Sequence, residues 1–279
     1  MKIGSDEHKE LFCRWFIGSH LAYEPAELPW PALDDRSVEF LHAVPVWPSA
    51  LEVEVNAGAM LDEFASTQQD PLICEALALQ GYEEARHGRM LRTLFDRYGI
   101  EVPDVKPSPQ SSKAAFISFG YDECLDSFFG FGIFRIAKEA KVVADSLINV
   151  FARVLIEEAR HIVFFVNWVA YDRARRGLGA APLQALPTAR GYLQALLKTI
   201  RRGKSANADE RGMGVALDVF AGLTLERFLL TCLEENDRYM AAFDTRLLRP
   251  KFVPTLVRCA LRVLPRRARL SAVAGESAP

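Results

Sequence analysis

The pentapeptide Glu83-Glu84-Ala85-Arg86-His87 returns letter for letter as Glu157-Glu158-Ala159-Arg160-His161. An identical five-residue pair arises by chance in roughly one chain per hundred of this length, so the recurrence reads as an internal repeat. Both copies lie in long stretches of helical periodicity, where Glu84/His87 and Glu158/His161 are i, i+3 pairs on one helix face. A carboxylate and an imidazole one turn apart form a bidentate metal-ligand set. A single such pair is usually a solvated ion pair. Two of them, with identical flanks, require the chain to bring two helices face to face around whatever the four side chains bind.

Punctuation along the chain supports helices and little else. Asp70-Pro71 joins an N-cap to a proline at the first helical position, Gly99 is a C-cap, and the proline-rich run 102–109 is a loop. Helices are expected near 49–69, 71–98, 111–140, 143–176, 183–202 and 208–244, with a weaker one near 250–264 and a short one over Asp6–Ser19. No Asn-Gly or Asp-Gly hairpin turn occurs, and Pro45 and Pro48 interrupt the one briefly alternating stretch, Val44–Val55. The fold class is therefore all-α. Residues 1–48 read as an N-terminal helix and a Pro-rich segment packed on a bundle, and 49–177 as the four-helix bundle. Residues 178–248 read as further helices of the same domain, and 249–279 as a basic C-terminal helix and flexible tail.

Each motif in such a bundle needs a partner carboxylate from the preceding antiparallel helix. Residues at one level of a hairpin lie equidistant from its turn. Glu54 and Glu84 are centred on residue 69, beside the Asp70-Pro71 turn, and Glu123 and Glu158 are centred between 140 and 141. Glu52 competes with Glu54 on spacing. Facing favours Glu54, which shares a small, apolar face with Ala50, Leu51, Ala57, Gly58, Leu61 and Ala65, whereas Glu52 lies with Val55, Asn56, Ala59 and Glu63. Asp126 sits one turn from Glu123 and points the same way. Glu123 has the longer reach and is preferred, with Asp126 as reserve ligand or outer hydrogen-bond acceptor.

With Glu54, Glu84-x-x-His87, Glu123 and Glu158-x-x-His161 on four helices, residues 49–176 resemble the ferritin-like di-iron carboxylate superfamily, which also has di-manganese and manganese–iron members. The longer form, Glu-Glu-x-Arg-His in both halves, is similar to its oxygen-activating branch of monooxygenases, acyl-carrier-protein desaturases and N-oxygenases. The resemblance implies a pair of iron ions, or a Mn/Fe pair, held by those six residues, with O2 as co-substrate. It further implies that Glu83 orients His161, that Glu157 orients His87, and that Arg86 and Arg160 hold these two carboxylates. Ser127 stands where some relatives carry a hydroxyl that assists O2 activation; a serine bonded to its own helix backbone is the plainer expectation. Ribonucleotide reductase small subunits carry a radical tyrosine where this chain has Leu91, so that activity is not expected. The rubredoxin-like cysteine cluster of rubrerythrins is absent, and storage ferritins are shorter.

The aromatic residues Phe128, Phe129, Phe131, Phe134, Phe164, Phe165 and Trp168 lie within three turns of the motifs; most are expected to be core, though such a lining suits an organic substrate. The first expectation is thus an O2-dependent di-iron oxidoreductase acting on a small or medium organic molecule. It would take electrons from an external ferredoxin or reductase, because no flavin or nicotinamide fingerprint occurs. The alternative is iron handling, by ferroxidase, peroxide-scavenging or storage chemistry, and a helical interaction protein with a vestigial site ranks third.

Composition sets the remaining bounds. The 34 basic and 36 acidic residues leave a formal net charge of −2, which argues against a nucleic-acid binder. Five cysteines without a C-x-x-C fit neither a disulfide framework nor a zinc ribbon and suit a reducing cytosol. The N-terminus turns charged before any apolar run develops, and no apolar stretch reaches the roughly 18–20 residues of a membrane span, so a cytoplasmic location is expected. After residue 244 come eight basic residues and one acid, which leaves 26 basic against 35 acidic before it. The basic, amphipathic run near 250–264 could touch a membrane or a partner; a docked surface helix is the simpler expectation. A homodimer is left open.

Overall fold

The computed structural model describes residues 1–108, 111–178, 182–205 and 222–263. The described residues form helices α1 (Asp6–Gly18), α2 (Asp35–Ala43), α3 (Trp47–Ser66), α4 (Pro71–Tyr98), α5 (Lys113–Glu139), α6 (Asp145–Arg175), α7 (Pro182–Ser205), α8 (Leu225–Met240) and α9 (Phe252–Val263), and no strand. A 3-10 turn spans Pro25–Glu27. The all-α class is as expected.

Local chemistry explains the boundaries. The Asp70 side chain accepts from the backbone N–H groups of Leu72 and Ile73, Pro71 fills the first turn, and Gly99 closes α4 at φ +67°. Ser112 caps α5 by accepting from the Ala115 N–H. Between α5 and α6 the chain reverses within Ala140–Ala144, with Lys141 in the left-handed region at φ 50°, where the ligand spacing requires the turn.

Two expectations are corrected. The N-terminal segment is not wholly irregular after α1: Asp34 accepts from the Ser37 N–H and starts α2, a nine-residue helix that the surrounding prolines obscure. Nor does one helix run over 208–244. Gly222 adopts φ +83° and Thr224 caps a new helix from Leu225, so α8 begins well inside that range; residues 208–221 lie outside the described ones.

Helices α3 to α6 form two antiparallel hairpins. Along α3 and α4 the backbones touch. A Cβ on Gly81 would lie 3.1 Å from both the Asp62 nitrogen and the Gly58 oxygen, so any larger residue would have to push the two backbones apart by a few tenths of an ångström. The same register sets Gly88 beside Glu54, where a Cβ added to the glycine would lie 3.6 Å from the Glu54 Cβ. In the second hairpin the Phe116 ring packs on Phe165 and Trp168, and Phe134 on Phe151. Helix α1 lies against α4 and α6, and α7 and α8 lie against α5.

Two apolar cores result. The larger holds Leu61, Phe64, Leu77, Phe116, Phe128, Phe131, Phe164, Phe165 and Trp168; the smaller holds Leu51, Met90, Leu94, Leu147, Val150 and Phe151. Most aromatic residues near the motifs are therefore core, as expected, and burying each stabilises the fold by about 1.5–3 kcal/mol. The motif residues Glu84, His87, Glu158 and His161 lie between these two cores along α4 and α6. Helix α9 docks through Val253, Pro254 and Val257, with Phe252 stacked on Tyr192 and Arg258 paired to Asp237. The basic residues Arg266, Arg267 and Arg269 lie outside the described residues. No helix among the described residues is long and apolar enough to cross a membrane.

Candidate metal centre

Four helices deliver one cluster. Helix α3 supplies Glu54, α4 supplies Glu84 and His87, α5 supplies Glu123, and α6 supplies Glu158 and His161. Their ligand atoms gather in two groups within 4.8 Å, Glu54/Glu84/His87/Glu158 and Glu84/Glu123/His161, with Glu84 in both. His87 Nδ1 lies 3.1 Å from Glu158 Oε1 and 3.5 Å from both Glu54 Oε2 and Glu84 Oε2. His161 Nδ1 lies 3.0 Å from Glu84 Oε1 and 3.8 Å from Glu158 Oε2. Bonds of about 2.1 Å to a common ion at near-right angles set ligand atoms about 3 Å apart, so this spacing suits metal coordination.

The hydrogen-bond ledger agrees. Glu54 Oε2, Glu84 Oε1, His87 Nδ1 and His161 Nδ1 are buried and make no hydrogen bond. Each such orphan costs about 1–3 kcal/mol. These four, shared between the two groups of ligand atoms, are what bound cations relieve, so the residues present fit a metal.

Around the cluster runs a second layer with crossed connections. His87 Nε2 meets Glu157 Oε2 at 2.9 Å, and His161 Nε2 meets Glu83 Oε2 at 2.8 Å. With Nε2 turned to a carboxylate, the inward Nδ1 of each ring is the nitrogen that a metal would take once its proton is displaced. Arg160 donates to both oxygens of Glu83 at 2.8 and 3.0 Å, and Arg86 donates to Glu157. This is the crossed arrangement that the family resemblance implied for Glu83, Glu157, Arg86 and Arg160.

Sequence reasoning missed what closes this layer. The chain leaving α1 lies across it as a strap. His20 Nδ1 meets Glu83 Oε1 at 2.6 Å, and the Tyr23 hydroxyl donates to Glu157 Oε2 at 2.8 Å. Arg86 also donates to the carbonyls of Leu21 and Tyr23, and Arg160 to the Phe16 carbonyl and the Ser19 hydroxyl. Three of these acceptors are backbone carbonyls, which leave no trace in a sequence; His20, one of only five histidines, was the one available signal.

Burial opposes every charge here, and the neighbours decide which survive. Burial, only partly offset by His87, takes the Glu54 carboxyl up to about 8. Burial and the adjoining Glu158 charge push Glu123 well above the carboxylate range. Glu158 resists burial through its close approach to Glu123 and to the His161 and His87 imidazoles and stays well below that range. Glu84 is lowered against burial, chiefly by the His161 charge. Glu83, buried yet bonded by His161 and faced by Arg160, is held at about 2. Both imidazoles are raised well above their ordinary value: their carboxylate partners outweigh burial. Protons thus balance the carboxylates of the cluster, and a divalent cation would displace them.

The remaining candidates fall outside the cluster. Glu52 is exposed and lines a surface groove together with Asp122. The Asp126 carboxylate is met by the Thr199 hydroxyl of α7 at 3.4 Å, so Glu123 is the α5 residue that reaches the cluster. Ser127 is buried one turn past Glu123; among the described residues no hydrogen bond joins it to the cluster. An apolar cavity of about 330 Å³ reaches Glu54 and His87 from the side of α2, and Leu91, Phe134 and Phe151 line it. No family model and no curated protein matches the chain.

Proposed function

We propose that the protein is an O2-dependent oxidoreductase that holds two iron ions in this cluster and oxidises a small or medium organic molecule. The convergence of four buried, unbonded ligand atoms, Glu54 Oε2, Glu84 Oε1, His87 Nδ1 and His161 Nδ1, carries the reading. Four carboxylates and two imidazoles balance two divalent ions and suit Fe(II), with a Mn/Fe pair as the variant. Glu54, Glu84, His87 and Glu158 would hold one ion, and Glu84, Glu123 and His161 the other. When bound, the reduced ions supply the electrons that activate O2 for attack on the substrate.

The chain's own residues set the conditions. Glu157 with Arg86, and Glu83 with Arg160, fix the imidazoles in one tautomer and orientation. The two apolar cores keep bulk water from the site. Electrons come from a separate donor, a ferredoxin or a reductase. Hydroxylation, N-oxygenation and desaturation all fall within this reading. Iron handling would be served by a polar route to the cluster, whereas the cavity that reaches it is apolar except for Glu54 and His87, and this favours an organic substrate.

Full-length protein is expected to carry about two irons per chain and, once reduced, to consume O2. The double variant Glu84→Ala/His161→Ala is expected to lose both properties. Undiminished iron content in that variant would overturn the proposal.

A further inference from the structure

Beyond His87, helix α4 continues its inward face as Met90, Leu91 and Leu94; before Glu54, helix α3 carries Trp47 and Ala50 on the same side. The ligand-bearing helices therefore become the walls of the apolar cavity. It runs from the cluster toward α2 and the turn between α5 and α6, where Phe40, Val44 and Val143 line it. Val46 and Ile133, 49% and 42% exposed, mark its opening to the surface.

Among the described residues, Glu54 and His87 are the only ionisable side chains in the lining. The one other side-chain donor, Trp47 Nε1, is spent on the Leu41 carbonyl at 2.7 Å. Away from Glu54 and His87, no described lining residue can pair with a carboxylate or an ammonium, and an unpaired charge moved into such a space carries a large desolvation cost. The volume, about 330 Å³, lies at the lower end of ligand pockets. At about 30 Å³ for each water-sized group it holds roughly eleven non-hydrogen atoms.

We infer that this cavity binds the uncharged hydrocarbon part of the substrate, an alkyl chain or aryl ring of about ten carbons, with one end against Glu54 and His87. The inference rests on the oxidoreductase reading for its chemistry, while the binding itself needs no metal. A molecule that carries a charge leaves that charge at the Val46–Ile133 opening or outside it.

The test is calorimetric titration of full-length protein with 1-hexanol, 1-octanol, 1-decanol and 1-dodecanol, alongside decanoate and decylamine, before and after chelation, with iron counted in each sample. Affinity is expected to rise about fourfold per methylene and to level off near ten carbons. In chelated protein, decanoate and decylamine are expected to bind at least tenfold more weakly than 1-decanol. Ala50→Trp and Ile148→Trp, two independent ways to fill the cavity, are each expected to weaken 1-decanol at least tenfold with helicity and iron content unchanged. Equal binding of decanoate and 1-decanol by chelated protein, no dependence on chain length, or wild-type binding by both filled variants would each overturn the inference. Two irons without alkanol binding would sink the cavity assignment and leave the oxidoreductase reading standing. The alkanol series without bound iron would do the reverse.

Discussion

The buried pair Arg160–Glu83 offers the sharpest test of the crossed layer. Arg160 donates to both Glu83 oxygens, and the two side chains are 2% and 0% exposed. Glu83 is held at about 2 against an ordinary 4.5, which corresponds to about 3 kcal/mol of stability at neutral pH. Because the folded value is the depressed one, that contribution is complete well above pH 4.5 and fades as pH falls toward 2. Arg160→Met takes the arginine from the buried Glu83 charge and one of two donors from the Phe16 carbonyl, an expected loss of about 3–5 kcal/mol. Glu83→Gln costs about 3 kcal/mol by the protonation argument. Its deficit relative to wild type is expected to shrink by about 1 kcal/mol between pH 7 and pH 3.5. The double variant Arg160→Met/Glu83→Gln keeps an amide oxygen for His161 Nε2 and removes the unpaired charge, so it should lose at least 2 kcal/mol less than the two single losses combined. Urea unfolding of chelated, full-length protein followed by helical circular dichroism measures all four. Additivity within about 0.5 kcal/mol, or a pH-independent Glu83→Gln deficit, would refute the reasoning.

Two further perturbations address the cluster. Because Glu54 and Glu123 are pushed up and both imidazoles are raised, Fe(II) binding is expected to release protons near pH 7 and to tighten as pH rises; calorimetry in two buffers of different ionisation enthalpy counts them, and a proton-neutral titration contradicts this. Tyr23→Phe removes one hydrogen bond from Glu157 and frees the acid that orients His87. Competition with a chelator is expected to show iron affinity lowered about tenfold with little loss of helicity, and unchanged affinity would demote the strap to a cover.

The strap gives the N-terminal segment a role that its composition hides. Glu83 and Glu157 sit at 0% exposure, and each is met by a histidine, an arginine and a strap side chain. Their burial is tolerable because each carboxylate is met by three groups and neither of its oxygens is left without a partner. A truncated chain beginning after residue 24 would open both carboxylates and leave the guanidinium groups of Arg86 and Arg160 short of acceptors.

Local chemistry in the sequence alone determined the helices of the bundle, the repeat and the hairpin register, though not α2 or the break before α8. Caps such as Asp70 and Gly99 act over a single turn, and two residues equidistant from a short reversal must lie at one level. Glu52 and Glu54 could be separated on the same basis, since two positions on a helix differ by about 200° and only one faces inward. Glu123 and Asp126 share a side, three positions leaving them within about 60°, so there only the longer reach of Glu123 favoured it. Tertiary structure decided between them by bringing Thr199 to Asp126. It alone also decided the strap over the crossed acids and the cavity beside His87. Both arise from segments far apart in the chain, joined through backbone carbonyls and unfilled space, neither of which is written in side-chain identity.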